Sequence, residues 1–244
     1  MNEMEKSEIE IKNAVRRHYA NLATVGRGES CCGDSCCQAS SSDAEIIPEE
    51  ALAVGASCGS PLTRVTLQGE EIILDLGSGG GIDVFRVSKM LKPTARVIGV
   101  DATPEMIWRA RETAKKYDYK NVEFRLGEIE NLPVESNSVD LVVSNCVLNL
   151  VPDKVKAFRE IYRVLKPAGK IAISDMVAVK RITAEDRANL EDWSACITGA
   201  ITVDEYKQLL LDVGFLNVSY HNEAPADLDS ANKVVSLTWL GSKP

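Results

Sequence analysis

Glu71-Ile72-Ile73-Leu74-Asp75-Leu76-Gly77-Ser78-Gly79-Gly80-Gly81 is an apolar run that ends in an acid and then in closely spaced glycines. It reads as the first strand and turn of an α/β nucleotide-binding sheet. Glycines at 77, 79 and 81 let the chain turn sharply and leave room for a ligand to lie on main-chain N–H groups. A dinucleotide fingerprint would carry its last glycine at position 82, which is Ile82 here. Asp75 would set a carboxylate against a pyrophosphate, whereas it suits the ammonium of an amino acid. S-adenosylmethionine carries that ammonium and no phosphate.

The second half of the site follows on schedule. Arg96-Val97-Ile98-Gly99-Val100-Asp101 is another apolar run ending in an acid, with Asp101 placed to accept from two ribose hydroxyls. Thr103 then Pro104 reads as an N-cap followed by proline at the first helical position. Val122 to Leu126 alternates as a third strand and leads to Ile129, against which an adenine could lie. Val139 to Asn145 and Lys170 to Asp175 are the fourth and fifth strands, too apolar for a sheet open to water on one face. Helices are expected after the glycine loop, from Pro104 toward Tyr117 and from Lys154 to Leu165, the last stopped by Pro167 and Gly169. Ligands of such sheets bind outside the carboxyl ends of the strands, so Asp75, Asp101, Ile129 and Cys146 converge on one rim. Further on, Thr183 and Thr202 look like helix starts, the second as a capping box with Glu205. Gly214 to Tyr220 and Lys233 to Trp239 complete seven strands as a late hairpin, with a polar loop over Asn222 to Asn232.

Composition bounds the rest. A chain of 244 residues buries one good core and a small appendage, and 45% hydrophobic with 26% charged residues is ordinary for a globular protein. A formal charge of −8 without a long basic stripe argues against a nucleic-acid partner. No apolar run reaches the roughly 20 residues a membrane span needs, and the acidic N-terminus does not read as a signal peptide. The expectation is a cytoplasmic protein, monomeric since nothing in the pattern demands more.

Seven cysteines, at 31, 32, 36, 37, 58, 146 and 196, stand out. With a core of this size and no export signal they are expected to be reduced thiols, several of them available to a soft ligand. Residues 5 to 25 space Ile11, Val15, His18, Tyr19 and Leu22 as an amphipathic helix, on which His18 reads as a packing or surface residue in preference to a catalytic one, since no partner for it is identifiable in the sequence. Cys31-Cys32-Gly33-Asp34-Ser35-Cys36-Cys37 is loop, equally consistent with a soft-metal or redox site and with a thiol-rich tail. Ala53 to Pro61 reads as a tight turn exposing Cys58. Cys146 follows the fourth strand, where it faces substrate or serves as a small buried hydrophobe. Cys196 sits in the connection Trp193-Ser194-Ala195-Cys196-Ile197-Thr198-Gly199-Ala200.

S-adenosylmethionine offers an electrophilic methyl, so the second substrate is a nucleophile. A soft atom with its own lone pair needs no general base. Thiols rather than histidines occupy the positions that can face the methyl. Thiolates at Cys58, Cys146 and Cys196 match three-coordinate, pyramidal trivalent arsenic with its lone pair free; zinc would want a fourth ligand.

In these residues the chain resembles the arsenite methyltransferases, class I S-adenosylmethionine-dependent enzymes. The phrases that carry the resemblance are Leu74 to Gly79, Val100-Asp101-Ala102-Thr103-Pro104-Glu105-Met106, Gly127-Glu128-Ile129-Glu130-Asn131-Leu132-Pro133 and Ser144-Asn145-Cys146-Val147-Leu148-Asn149-Leu150, with Trp193 to Ala200. The resemblance implies a Rossmann-like, mostly parallel seven-stranded sheet with helices on both faces, an N-terminal cysteine-rich segment and small C-terminal substrate-side elements. Its implied divisions are 1–66, 67–180 for the cofactor core and 181–244. It implies that Cys58, Cys146 and Cys196 are arsenic ligands and that an N-terminal cysteine, taken as Cys32, serves binding or redox steps. It implies cofactor contacts from Asp75, Gly77, Ser78, Gly79, Asp101, Ala102, Thr103, Met106, Glu128, Ile129, Glu130 and Asn145. Arsenite and methylated arsenite would be the substrates, with thioredoxin or a low-molecular-weight thiol as external reductant. Relatives commonly carry leucine and glycine before the cysteine matching Cys58, asparagine after it, and glycine where Ala20 follows Tyr19; neither departure removes a ligand. The rival readings are a redox or soft-metal-sequestering protein using the same thiols, a methyltransferase acting on carbon or oxygen of another small molecule, and, weakest, a dehydrogenase.

Overall fold

The computed structural model describes residues 6–25, 47–54, 59–222 and 233–244. Cys31, Cys32, Cys36, Cys37 and Cys58 lie outside these residues, as do most of the 222–232 loop and the centre of the Cys58 turn.

Seven strands form one sheet in the order β3-β2-β1-β4-β5-β7-β6. Strands β1 (Ile72–Leu76), β2 (Arg96–Asp101), β3 (Val122–Leu126), β4 (Val139–Asn145) and β5 (Leu165–Ala178) run parallel. Strand β7 (Val234–Ser242) is antiparallel to β5 and to β6 (Leu216–Asn222), so the late hairpin expected from the sequence inserts its second strand beside β5. Chain order reverses on either side of β1, which makes the β1/β4 boundary the point where loops diverge and a crevice opens.

Helices α3 (Ile82–Met90) and α4 (Pro104–Lys116) bury Val84, Phe85, Val87, Ile107 and Ala110 in a core with Ile73, Val97 and Val143. Helices α5 (Lys154–Val164) and α8 (Val203–Val213) bury Phe158, Ile161, Tyr206 and Leu210 in a core with Leu74, Val142 and Trp239. Each strand of the parallel part thus presents apolar side chains to both layers, as its unbroken apolar run requires. The capping box on α8 is complete, Thr202 and Glu205 satisfying each other's backbone N–H.

Two local expectations are corrected. The fifth strand begins at Leu165 rather than Lys170. Val139 pairs with Leu165 and Leu141 with Lys170, so the intervening residues, Pro167 among them, loop out of register, with Ala168 left-handed at φ 62°. The bulge removes the ladder bond that proline cannot donate. Thr103 occupies the N-cap of α4 but makes no side-chain cap bond there, its hydroxyl being turned to Asp101. The stretch before β1 holds the one-turn helix α2 (Glu49–Leu52) and a 3₁₀ turn at Pro61–Arg64.

Helix α1 (Glu8–Val25) lies apart from both layers, packing on α4 and on α7 (Leu190–Ser194), the short helix that follows the one-turn α6 (Ala184–Arg187). It does so through Ile11, Val15, Tyr19 and Leu22, the stripe the helical spacing marks out. Among the described residues no helix is long and apolar enough to cross a membrane.

Trp239 is fully buried and stacks on Tyr206 at 4.7 Å between ring centres, joining β7 to α8. Trp239→Ala is therefore expected to cost about 3–5 kcal/mol of stability, read as a lowered midpoint in urea unfolding. A loss under about 1 kcal/mol would show that β7 is not anchored through this ring.

Candidate functional site

The site grows from the parallel register. Leu76 of β1 pairs with Val100 of β2 and with Ser144 of β4, so the three strands end side by side and their following loops crowd one rim. Gly77, at φ 65°, starts the loop after β1; a Cβ there would come within 2.5 Å of Val147 in the loop after β4. Only glycine allows the two loops to approach this closely. The Ser78 N–H donates to the Val100 carbonyl at 3.1 Å and the Gly79 N–H to Asp101 Oδ2 at 2.9 Å. Asp101 Oδ1 takes the Thr103 N–H at 2.8 Å, so the acid at the end of β2 is pinned from both sides.

An open cleft of about 1160 Å³, its mouth included, lies over this rim. Asp75, Gly77, Ser78, Gly79, Asp101, Ala102, Thr103, Met106, Glu128, Ile129, Glu130, Asn145 and Cys146 all line it. The structure thus brings together the twelve positions singled out as cofactor contacts and one of the thiols. Cys196 is not on the wall. It lies immediately behind Cys146, its Sγ 3.5 Å from the Cys146 carbonyl and meeting the Cys146 thiol. Cys32 and Cys58 fall outside the described residues.

Both placed thiols sit on backbone that side chains seldom adopt. Cys146 has φ 59° and Cys196 φ 65°, and both are buried, at 6% and 3% exposure. Left-handed backbone at a β-carbon residue survives only where the surroundings over-determine it, and such positions gather at functional sites. The Cys146 N–H bonds to the Ser174 carbonyl of β5 at 2.8 Å, which fixes its turn against the sheet. The Cys146 thiol beside it, then burial and the charge of Asp175, hold the Cys196 thiol well above the usual thiol range. Cys196 therefore keeps its proton in the ligand-free protein. Tyr19 of α1 stands 3.9 Å away with its hydroxyl toward the same sulfur.

The opposite wall is acidic. Burial, with Asp83 and Asp101 close by, pushes Asp75 well above the usual carboxylate range, and Arg86 only partly offsets it. Asp83 is itself buried, paired with Arg86 and 3.3 Å from the Asn145 side-chain amide. Three carboxyl groups crowded into a cleft are an unfavourable arrangement that a cationic ligand relieves.

Sequence reasoning missed the residues that close the cleft from α1. Lys12 pairs with Glu128 at 2.7 Å and Glu130 at 2.9 Å, and Arg16 pairs with Glu128. Burial works against the charge on Lys12, yet the two glutamates hold its ammonium above the usual range. The signal was present as two basic residues four apart, flanking Ile11 and Val15 on the amphipathic stretch. Asp83, in the first turn of α3, had no distinguishing motif.

A methyltransferase domain family model matches residues 67–214. An arsenite methyltransferase of Halobacterium salinarum is 39% identical over 264 residues, covering 96% of this chain and 67% of that protein. The human arsenite methyltransferase is 38% identical over 156 residues, but the chain spans only 40% of its length. Among solved structures, an arsenic (III) S-adenosylmethionine methyltransferase from Chlamydomonas reinhardtii superimposes with TM-score 0.68 at 30% identity, over 82% of this chain and 71% of that one. A phosphoethanolamine N-methyltransferase of Haemonchus contortus, solved with S-adenosyl-L-methionine, shares the fold at 20% identity and TM-score 0.65, covering 75% of this chain and 51% of its own.

The acidic wall gives a prediction with a definite sign. Because the folded state raises Asp75, ionising it costs stability above its folded pKa, and the cost fades as pH falls toward the ordinary carboxylate value. Asp75→Asn should stabilise the ligand-free protein by about 1–2 kcal/mol at pH 8, a typical gain where a site's strain is relieved. The gain should shrink toward pH 4 in thermal melts. A loss of stability at pH 8 would contradict the crowding.

Proposed function

This chain belongs to the methyltransferase domain family and, within it, to the arsenite methyltransferases, and on that premise we propose that it transfers methyl groups from S-adenosylmethionine to trivalent arsenic held by cysteine thiolates. The observation that carries the reading is the meeting of two left-handed cysteines, Cys146 and Cys196, at the end of the cleft whose other wall is the Asp75–Asp101 rim.

The residues present suit the cofactor. Asp101, held by the Gly79 and Thr103 N–H groups, turns a fixed carboxylate toward the cleft, as a pair of ribose hydroxyls requires. Asp75, raised by burial and by its acidic neighbours, regains its charge beside an ammonium. Ile129 supplies an apolar surface for a base, flanked by Glu128 and Glu130. Bound there, S-adenosylmethionine supplies the electrophilic methyl.

The chain's own work is then to hold the nucleophile. Arsenite loses hydroxide as water when thiol protons move to it, and As–S bonds form to Cys146 and Cys196, with Cys58 as the third ligand. Soft thiolates match soft arsenic, and three such bonds leave its lone pair directed away from them. No general base is needed, because the attacking pair carries no proton. Fixing arsenic at the strand ends makes the transfer effectively unimolecular. Methylation raises arsenic from the trivalent to the pentavalent state. Two thiolates, Cys32 or its neighbours among them, return two electrons and leave as a disulfide, which an external thiol such as thioredoxin reopens. The soft-metal-sequestering rival uses the same sulfurs but leaves the acidic wall and the glycine loop without a task.

Incubation of purified protein with S-adenosylmethionine, arsenite and thiol reductant should yield methylated arsenic by mass-resolved chromatography. Cys146→Ser and Cys196→Ser are each expected to lose more than about 100-fold of that activity while binding the cofactor normally, since a hard hydroxyl is a poor substitute for a thiolate ligand. Arsenic methylation retained in Cys146→Ser would remove that thiol from the ligand set, and cofactor binding by the wild type without methylated arsenic would favour methyl transfer to another small molecule. Arsenic uptake without cofactor binding would favour sequestration.

A further inference from the structure

The two placed thiols come from segments 50 residues apart in sequence, and something must keep them in register. Asn149 is the residue placed to do it. It lies in the 3₁₀ turn Leu148–Leu150 that follows β4 and is 1% exposed. Its side-chain amide donates to the Cys196 carbonyl at 3.2 Å, the backbone oxygen of a residue held at φ 65°. Its own carbonyl accepts from the buried Lys154 ammonium at 3.1 Å, which also binds the Val151 carbonyl at 2.8 Å, so the turn carrying Asn149 cannot drift. On the other segment, the Trp193 indole N–H reaches the Leu150 carbonyl at 3.0 Å. The fit leaves no slack, since a Cβ on Gly199 would stand 2.1 Å from the Asn149 carbonyl.

We propose that Asn149 is a positioning residue for the arsenic-binding thiol pair: by bonding the Cys196 carbonyl it holds that residue left-handed, with its sulfur against Cys146. The inference rests on the arsenic reading of the site and adds to it a residue that touches neither arsenic nor cofactor. Without the Asn149 amide the buried Cys196 carbonyl loses that donor and is left unsatisfied, and a left-handed cysteine without that tether relaxes toward ordinary backbone. The Cys196 thiol would then swing away from Cys146, and the loss falls on the arsenic side of the cleft alone.

The test is equilibrium dialysis of arsenite with arsenic mass detection, beside calorimetric titration of S-adenosylmethionine, on wild type and Asn149→Ala. The expected result is at least a tenfold weaker arsenite affinity, with cofactor affinity within twofold of wild type. In turnover, the KM for arsenite should rise while the KM for the cofactor holds, a split that general loosening of the fold would not produce. If Asn149→Ala does not fold, judged by its cofactor binding, Gly199→Ala decides by the same criteria, because its methyl wedges the two segments apart. Arsenite affinity within threefold of wild type in a folded variant overturns the proposal. Wild-type protein that binds cofactor but no arsenite overturns the reading beneath it, and this inference with it.

Discussion

The site depends on one register. Because Leu76 pairs with both Val100 and Ser144, β1, β2 and β4 stop at the same height, and the next residues of each strand are delivered to a common edge. From that edge come the glycine loop, Asp101 and Cys146, none of which is near another in sequence. A one-residue slip would exchange the side chains that β1 gives to the two helical layers, Ile73 in one core and Leu74 and Leu76 in the other, so the close packing of both layers also fixes this alignment. Stability and site geometry thus have a common cause.

The same edge collects charge that the fold alone would avoid. Asp75, Asp83 and Asp101 face a cleft with Arg86 as partial compensation, while Lys12 and Arg16 of α1 are engaged by Glu128 and Glu130 further along. An acidic pocket of this kind raises the free energy of the empty protein and returns it on binding a cation. S-adenosylmethionine carries both an ammonium and a sulfonium, whereas the product of methyl transfer has lost the sulfonium charge. The wall therefore favours the reactant over the spent cofactor. At the other end, the thiols sit in strained backbone within a buried, largely apolar cluster with Ile11, Leu150 and Trp193, close to the charged pair Asp175 and Lys154. Burial pushes Asp175 up to about 7 despite the facing Lys154, and pushes Lys154 down to about 8, so this pair lies close to neutralising itself inside the protein.

What was legible in the sequence was what local chemistry determines. The strand, glycine turn and acid at 71–81 need each other within a few residues, and Asp101 follows the next apolar run by the same logic. The parallel topology then brings Ile129, Asn145 and Cys146 to the rim by rule. The capping box at Thr202 and the stripe on α1 were local too. What was not legible came from packing across long separations. Lys12 meets Glu128 only because α1 docks beside the cleft, and Asn149 meets Cys196 only because α7 folds back on the turn after β4. Pro167 marks the end of the preceding helix, and α5 does end at Val164, but that β5 already begins at Leu165 and bulges past the proline depends on its pairing with β4 and has no local signal. Thr103 read as a cap, but the carboxylate of Asp101 competes for its hydroxyl and wins.

The central claim is that arsenic is bound at the end of this cleft through sulfur. X-ray absorption at the arsenic edge, on reduced protein loaded with one equivalent of arsenite, reports the neighbours of that atom directly. A shell of three sulfurs without oxygen, falling to two sulfurs in Cys196→Ser, is the expected result. An oxygen-only shell, or a sulfur shell that Cys196→Ser leaves unchanged, would contradict it.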